Sequence, residues 1–260
     1  MDDVAHYNRD RWRKLVQVNA LFTRPKLDLN PESARQYLDP RGVLGEVAEK
    51  NVLCLASGGG QQSIAFAILG ANVTVSDLSP EQLEIDGKSA QELGLTLETL
   101  VADMRDLSHL PGASFDVVWQ PYSLNFVPRC LPVFQEVARV LRPGGLYHLM
   151  TTNPFAFGMT NEDWDGVGYP VSKPYESGRQ ASYTDQEFVY DRSKVKEEIP
   201  RPIEYCHTLS DIIGGLATCG FCLKGVFEEA SNDPENQPGD WEHFKSFLPP
   251  WLTFWAIKES

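Results

Sequence analysis

N-V-L-C-L-A-S-G-G-G-Q-Q-S, running from Asn51 to Ser63, joins three local signals in one short stretch. Val52 to Ala56 form an apolar run of the kind that fills a buried parallel strand. Three consecutive glycines follow, and then a helix-like pattern, Ile64-Ala65-Phe66-Ala67-Ile68-Leu69. Glycines between a strand and a helix let the chain bend tightly. They also let a ligand reach the main chain, because no Cβ stands in the way.

Downstream, the alternation of strand and helix continues. The helix stops at Gly70, and Val73-Thr74-Val75-Ser76-Asp77 reads as a second strand. Ser79-Pro80-Glu81-Gln82 is a helix start with a serine cap, proline at the first helical position and Gln82 completing a capping-box pattern. A third strand spans about Leu97 to Val101 and a fourth Phe115 to Trp119. A helix from Leu131 to Leu141 leads through the turn Arg142-Pro143-Gly144-Gly145 into a fifth strand, Leu146 to Met150. Such alternation specifies a parallel sheet with helices on both faces. Thr208 to Cys219 reads as a helix, and Phe221 to Phe227 and Trp251 to Lys258 as late strands. With no full crossover helix between them, these last two form an antiparallel pair at one edge. The expected fold is α/β: a Rossmann-like, seven-stranded, mostly parallel sheet with helices on both faces and an antiparallel edge strand.

Around this core the chain divides into segments of one domain. Residues 1–50 form an N-terminal helical cap: Trp12, Leu15, Val16, Asn19 and Phe22 recur at helical spacing until Pro25, and a second short helix starts at Pro31 behind Asn30. This cap is either a packing appendage or a lid. Residues 51–152 are the cofactor-binding core, and 153–205 a loop-rich insertion carrying Trp164, Tyr169, Tyr175 and Tyr183. Residues 206–260 hold the final helix and edge strands, with a second insertion at 230–250. Loops this long in a compact domain are usually functional.

The 260 residues are 42% hydrophobic, enough for one large core, and the formal net charge is −13. A field of that sign repels phosphate backbones, so no nucleic-acid partner is expected. No apolar run approaches a membrane span, and M-D-D-V-A-H-Y lacks a signal-peptide core, so a cytoplasmic location with no membrane partner is expected. The five cysteines then read as reduced thiols. Cys206, His207, Cys219 and Cys222 could form a zinc set. However, Gly220 resembles a helix C-cap and Cys222 opens an apolar strand, so buried thiols are favoured and no metal is expected.

Asp77 ends the second strand 19 residues after Gly58. That is close to the roughly 20-residue offset at which an acid meets ribose hydroxyls in nucleoside-binding folds. Asp103, at the end of the third strand, could accept from an adenine amino group with Met104 against the ring. In this order and spacing, V-L-C-L-A-S-G-G-G, V-T-V-S-D, V-A-D-M-R-D-L, F-D-V-V-W-Q and V-L-R-P-G-G-L resemble the class I S-adenosylmethionine-dependent methyltransferases. The segment looks like a bacterial-type subgroup with the loop L-A-S-G-G-G-Q-Q and a downstream His207-Thr208-Leu209.

The resemblance implies S-adenosyl-L-methionine as cofactor, in contact with Ala56, Ser57, Gly58, Gly60, Gln61, Gln62, Asp77, Leu78, Asp103, Met104 and Gln120. It implies a methyltransferase; a small-molecule acceptor is expected, with its attacking atom (O, N or S) left open. Two positions depart from the family: Cys54 stands where an acid is frequent, and Ala56 replaces the first glycine. Gln61 and Gln62 are candidates to hold the cofactor's amino end instead. If the acceptor needs a base, His207 leads, with Tyr122 and His243 behind; a core hydrogen-bonding role is the alternative for His207. Trp164, Tyr169, His207 and Trp241 are candidate acceptor contacts. A nicotinamide-dependent oxidoreductase would share the glycine turn and Asp77, but it predicts an uninterrupted doubly wound sheet. A non-catalytic S-adenosylmethionine-binding protein predicts no acceptor cavity.

Overall fold

The computed structural model describes residues 1–233 and 235–259; Pro234, within the expected 230–250 insertion, and Ser260 lie outside the described residues. Its main sheet contains β1 (Asn51–Leu55), β2 (Asn72–Asp77), β3 (Glu98–Val101), β4 (Phe115–Gln120), β5 (Leu141–Thr152), β8 (Phe221–Glu228) and β9 (Trp251–Lys258). The strand order is β3-β2-β1-β4-β5-β9-β8. The first five strands are parallel, and β9 runs antiparallel to both β5 and β8. The reversed pair expected at one edge is therefore present, with β9 inside and β8 outermost. The period of two along each strand divides the apolar residues between two faces. Leu53, Leu55 and Val118 join one core with α5 (Leu131–Val140) and α6 (Gly215–Thr218). Val52, Cys54, Val117 and Trp119 join the other with α2 (Pro31–Leu38), α3 (Gln62–Ile68) and α4 (Pro80–Glu92).

Several boundaries differ from the sequence reading, each for a local reason. The first helix, α1 (Asp3–Gln17), ends before Asn19, which takes a left-handed φ of +50°, and Leu21–Thr23 form a separate 3-10 turn. Strand β5 begins at Leu141, directly after α5. Residues Arg142 to Gly145 form a register shift within it rather than a turn before it. At α4, Ser79 Oγ does accept from the Gln82 amide at 3.3 Å, but the Gln82 side chain is buried against the glycine loop instead of closing a capping box. The expected helix over 208–219 starts with a π turn at Ser210–Gly214 before α6. The two insertions also contain structure. Strands β6 (Gln180–Ser182) and β7 (Ile203–Tyr205) pair antiparallel, and α7 (Trp241–Phe247) lies within 230–250. Among the described residues no helix is long and apolar enough to cross a membrane.

Candidate active site

Because β1 to β5 are parallel, their C-terminal ends gather at one rim of the sheet, where open α/β folds hold ligands. The glycine loop leaves β1 there. Ala56 turns the chain with φ +47°, and its N–H donates to Ser76 O at 2.7 Å. Gly58 then comes so close to β2 and α4 that a Cβ would lie 2.6 Å from Gln82 Cβ and 3.2 Å from Asp77 Cβ, so only glycine fits. The Gly58 N–H donates to Asp77 Oδ2 and the Ser79 N–H to Asp77 Oδ1, both at 2.9 Å. Burial raises the Asp77 pKa, against the pull of the Ser79, Gly58 and Leu78 amides. Gly59 and Gly60 donate to Asp86 at 2.7 and 3.0 Å, and Ser63 Oγ bonds the same carboxylate. Asp86 is fully buried, which pushes its pKa up to about 7.

Sequence reasoning missed Asp86. A signal was available: Gln82, Leu83, Asp86, Ser89 and Ala90 are the buried stripe of α4, and an acid at that helical spacing needs a buried partner. Asp86 also bears on Cys54, whose thiol is pushed up first by burial and then by this carboxylate. The α4 helix thus brings a carboxylate to the β1 end, where position 54 has none. Gln61 and Gln62 are engaged within the protein. Gln61 Nε2 donates to Phe22 O at 3.0 Å; Gln62 Nε2 donates to the Tyr37 hydroxyl, and Gln62 Oε1 accepts from Ser57 Oγ, both at 2.9 Å.

At the end of β3, Asp103 is paired with Arg105 at 2.6 Å, and Arg105 also holds Asp2, the cap of α1, at 2.7 Å. Gln120, at the end of β4, is buried. It donates to Met104 Sδ at 3.3 Å and to Ser123 Oγ at 3.0 Å, and it accepts from the Tyr147 hydroxyl. Gln120 therefore props Met104 from below.

A second polar group lies over the ends of β4 and β5. The Tyr122 hydroxyl lies 2.6 Å from Thr152 Oγ1 and donates to Glu204 Oε2, which β7 carries in from the insertion. Glu204 is buried, and desolvation pushes its pKa up to about 6. The same desolvation, with Glu204 beside it, drives Tyr122 well above the usual phenol range. Phe126 packs edge-on to Tyr122 at 6.2 Å, and Trp12 of α1 edge-on to Phe126 at 6.1 Å. The α1 helix is fastened to the insertion by a buried bidentate pair between Arg11 and Asp185, at 3.0 and 2.7 Å.

His207 is not part of this group. It is buried, its Nε2 lies 3.1 Å from Leu124 O, and desolvation lowers its pKa. It lines a separate cleft of about 260 Å³ with Arg129, Cys130 and Asp211. Thr208 caps the turn that follows, exchanging hydrogen bonds with Asp211. Trp164, Tyr169 and His243 cluster with one another and with Phe247, and Trp241 packs on Trp251 at 5.7 Å. These rings tie α7 to the insertion. Cys222 is exposed while Cys206 is buried, and among the described residues no group of three or more His, Cys, Asp and Glu is placed to hold a metal ion.

One buried acceptor beside the glycine loop is left open. Gln82 Oε1 is buried with no hydrogen-bond partner, and it lies 3.0 Å from where a Gly59 Cβ would stand. An orphaned acceptor at the glycine loop calls for a donor from outside the protein. A model of the methyltransferase domain family matches residues 53–149. The uncharacterized methyltransferase YbaJ of Bacillus subtilis (strain 168) is 38% identical over 193 residues, covering 73% of this chain and 72% of its own. This chain belongs to the methyltransferase family. The ubiquinone biosynthesis O-methyltransferase of Xanthomonas euvesicatoria pv. vesicatoria (strain 85-10) is 35% identical over 116 residues, 44% of this methyltransferase and 48% of that one, so the match spans about half of that relative. The fold resembles the S-adenosylmethionine-dependent methyltransferase of Mesorhizobium loti, with a TM-score of 0.62 at 22% identity, covering 88% of this chain and 100% of that one.

Proposed function

We propose that the chain transfers the methyl group to a small molecule seated over the ends of β4 and β5, beside Tyr122, Thr152 and Glu204. The observation that carries this reading is the polar group itself: a buried phenol, hydroxyl and carboxylate next to the strand end where Gln120 supports Met104. S-adenosylmethionine supplies an electrophilic methyl on a sulfonium, and in-line displacement of this kind gains most from positioning and from exclusion of water. On this reading the loop from Ala56 to Gln62 lines the methionine part, with Ser57, Gly58 and Gly60 nearest and Gln61 and Gln62 bracing it. Asp77 receives the ribose hydroxyls, Leu78 borders them, and Asp103 with Met104 borders the adenine.

Tyr122 orients the acceptor, and His207 has an interior role. Trp164, Tyr169 and Trp241 anchor the insertion that walls the site. The helical cap at 1–50 serves as a lid over a single domain, because α1 reaches Arg105 on the core and Asp185 in the insertion. The strongly acidic chain favours a small acceptor over nucleic acid. It also suits a cytoplasmic enzyme of the L-A-S-G-G-G-Q-Q subgroup. The nicotinamide reading lacks support, since β9 runs antiparallel inside the sheet.

The test is ligand-dependent melting. S-adenosylhomocysteine at about 100 times its Kd raises stability by about 2.7 kcal/mol, while NAD and NADP leave the Tm unchanged. Stabilisation by a nicotinamide cofactor alone overturns the reading.

A further inference from the structure

We infer that Glu204 is the positioning residue and proton store behind Tyr122, and that the acceptor presents a hydroxyl, so that the methyltransferase makes an O-methyl product. This deepens the proposed function and rests on it.

Tyr122 has one proton, and it goes to Glu204 Oε2; the neighbouring Thr152 hydroxyl at 2.6 Å then donates to Tyr122 Oη. That leaves one lone pair on Oη open to a donor. Glu204 Oε1 takes no hydrogen bond among the described residues, so one oxygen of this largely buried carboxylate stays open as an acceptor. An open carboxylate oxygen at a ligand rim can accept from a donor that a ligand brings.

The charged and titratable groups facing Glu204 come from three other elements. Tyr122 follows β4, Tyr183 lies in the insertion, and Arg11 projects from α1. Arg11 is already neutralised by Asp185, so it does not compete as a full counter-ion. Tyr183 is occupied as the acceptor of the Gly158 N–H at 2.9 Å. Tyr122 and Glu204 are the pair left to act.

The chemistry of the pair selects the attacking atom. A buried carboxylate holds an amine in its ammonium form, which has no lone pair for attack. A hydroxyl already carries its lone pair and must only lose its proton as the bond forms. That proton passes to Tyr122 Oη as the Tyr122 proton passes to Glu204. The electrons of the broken O–H bond remain on the acceptor oxygen, which forms the new O–CH₃ bond while the C–S pair stays on sulfur. Phe126 and Trp12 add an apolar aromatic wall beside Tyr122, which suits an aromatic hydroxyl.

The test is catechol binding to the full chain saturated with S-adenosylhomocysteine, by calorimetry from pH 5 to 8, with benzylamine as the amine probe. Glu204 is protonated below about 6, where it is the weaker acceptor and cannot take a further proton, so catechol affinity rises with pH through about 6. Glu204→Gln loses the rise and weakens binding at pH 8 by about 10-fold or more. Tyr122→Phe, which keeps the ring packing, loses the rise as well. Both variants keep the S-adenosylhomocysteine affinity of the parent. Equal catechol affinity for parent and Glu204→Gln across the pH range overturns the inference. So does binding of benzylamine but not catechol, or of neither probe by a protein that binds S-adenosylhomocysteine. Failure to bind S-adenosylhomocysteine overturns the proposed function instead.

Discussion

The two halves of the rim are built differently. The cofactor half comes from one continuous run, residues 51–86. There β1, the glycine loop, β2 and α4 meet through backbone amides on two carboxylates, Asp77 and Asp86. The half proposed for the acceptor is assembled from side chains far apart in sequence, Tyr122, Thr152 and Glu204, and the insertion that carries Glu204 is tied to the N-terminal helix through Arg11 and Asp185. Backbone geometry fixes the first half, which in the proposed reading holds the cofactor. Side-chain contacts between distant segments fix the second, which in that reading can vary its acceptor without disturbing the first.

The largest effect expected from breaking this division is on the clasp. Asp185→Ala leaves the Arg11 guanidinium buried without its partner, at a cost of about 3–5 kcal/mol. The Tm should fall by about 10 °C. The double variant Arg11→Met, Asp185→Leu should recover most of the loss; a fall of only a degree or two in Asp185→Ala would make α1 a loosely held appendage. Next comes the cofactor half: Asp77→Ala should weaken S-adenosylhomocysteine binding by about 100-fold, since it removes hydrogen bonds to a charged group. Calorimetry should show no such loss for Asp185→Ala at a temperature where it remains folded.

A smaller effect is electrostatic. The Asp86 pKa is raised to about 7 in the folded chain, so the folded state holds its proton more tightly than the unfolded one. Its contribution to stability is complete below about pH 4 and is lost as the pH rises through about 7. Asp86→Asn should flatten the slope of stability over that window in urea melts, at the cost of one of the two glycine amides it holds. An unchanged slope would assign the titration to another group. Smallest is Ala56→Gly. Removing a methyl from a left-handed residue should gain up to about 1 kcal/mol, less the entropy of the added glycine, with S-adenosylhomocysteine affinity intact.

The difference between the halves also decides what could be read in the sequence. The strand, the glycines and Asp77 lie close together and follow from local rules, and the sheet follows from alternation. The reversed β9 follows from the missing crossover helix. Asp86 was legible in principle as an acid on the buried stripe of α4, but a periodicity search weighted toward apolar residues passes over it. Gln82 matched a capping box, yet burial against Gly58 outweighs the reciprocal cap. Glu204 had no signal at all. It lies in a three-residue strand within a loop-rich segment, and only the pairing of β6 with β7 turns it inward. Aromatic residues such as Trp164 and Trp241 are conspicuous in sequence, but a ring reports burial more readily than function; here they hold α7 in place.

The most direct measurement is a crystal structure of the chain with S-adenosylhomocysteine. The ribose hydroxyls should lie on Asp77, and the sulfur should face a closed space bordered by the Tyr122 hydroxyl and Glu204 Oε1. Sulfur pointing away from Tyr122, with Glu204 sealed off from that space, would contradict the account.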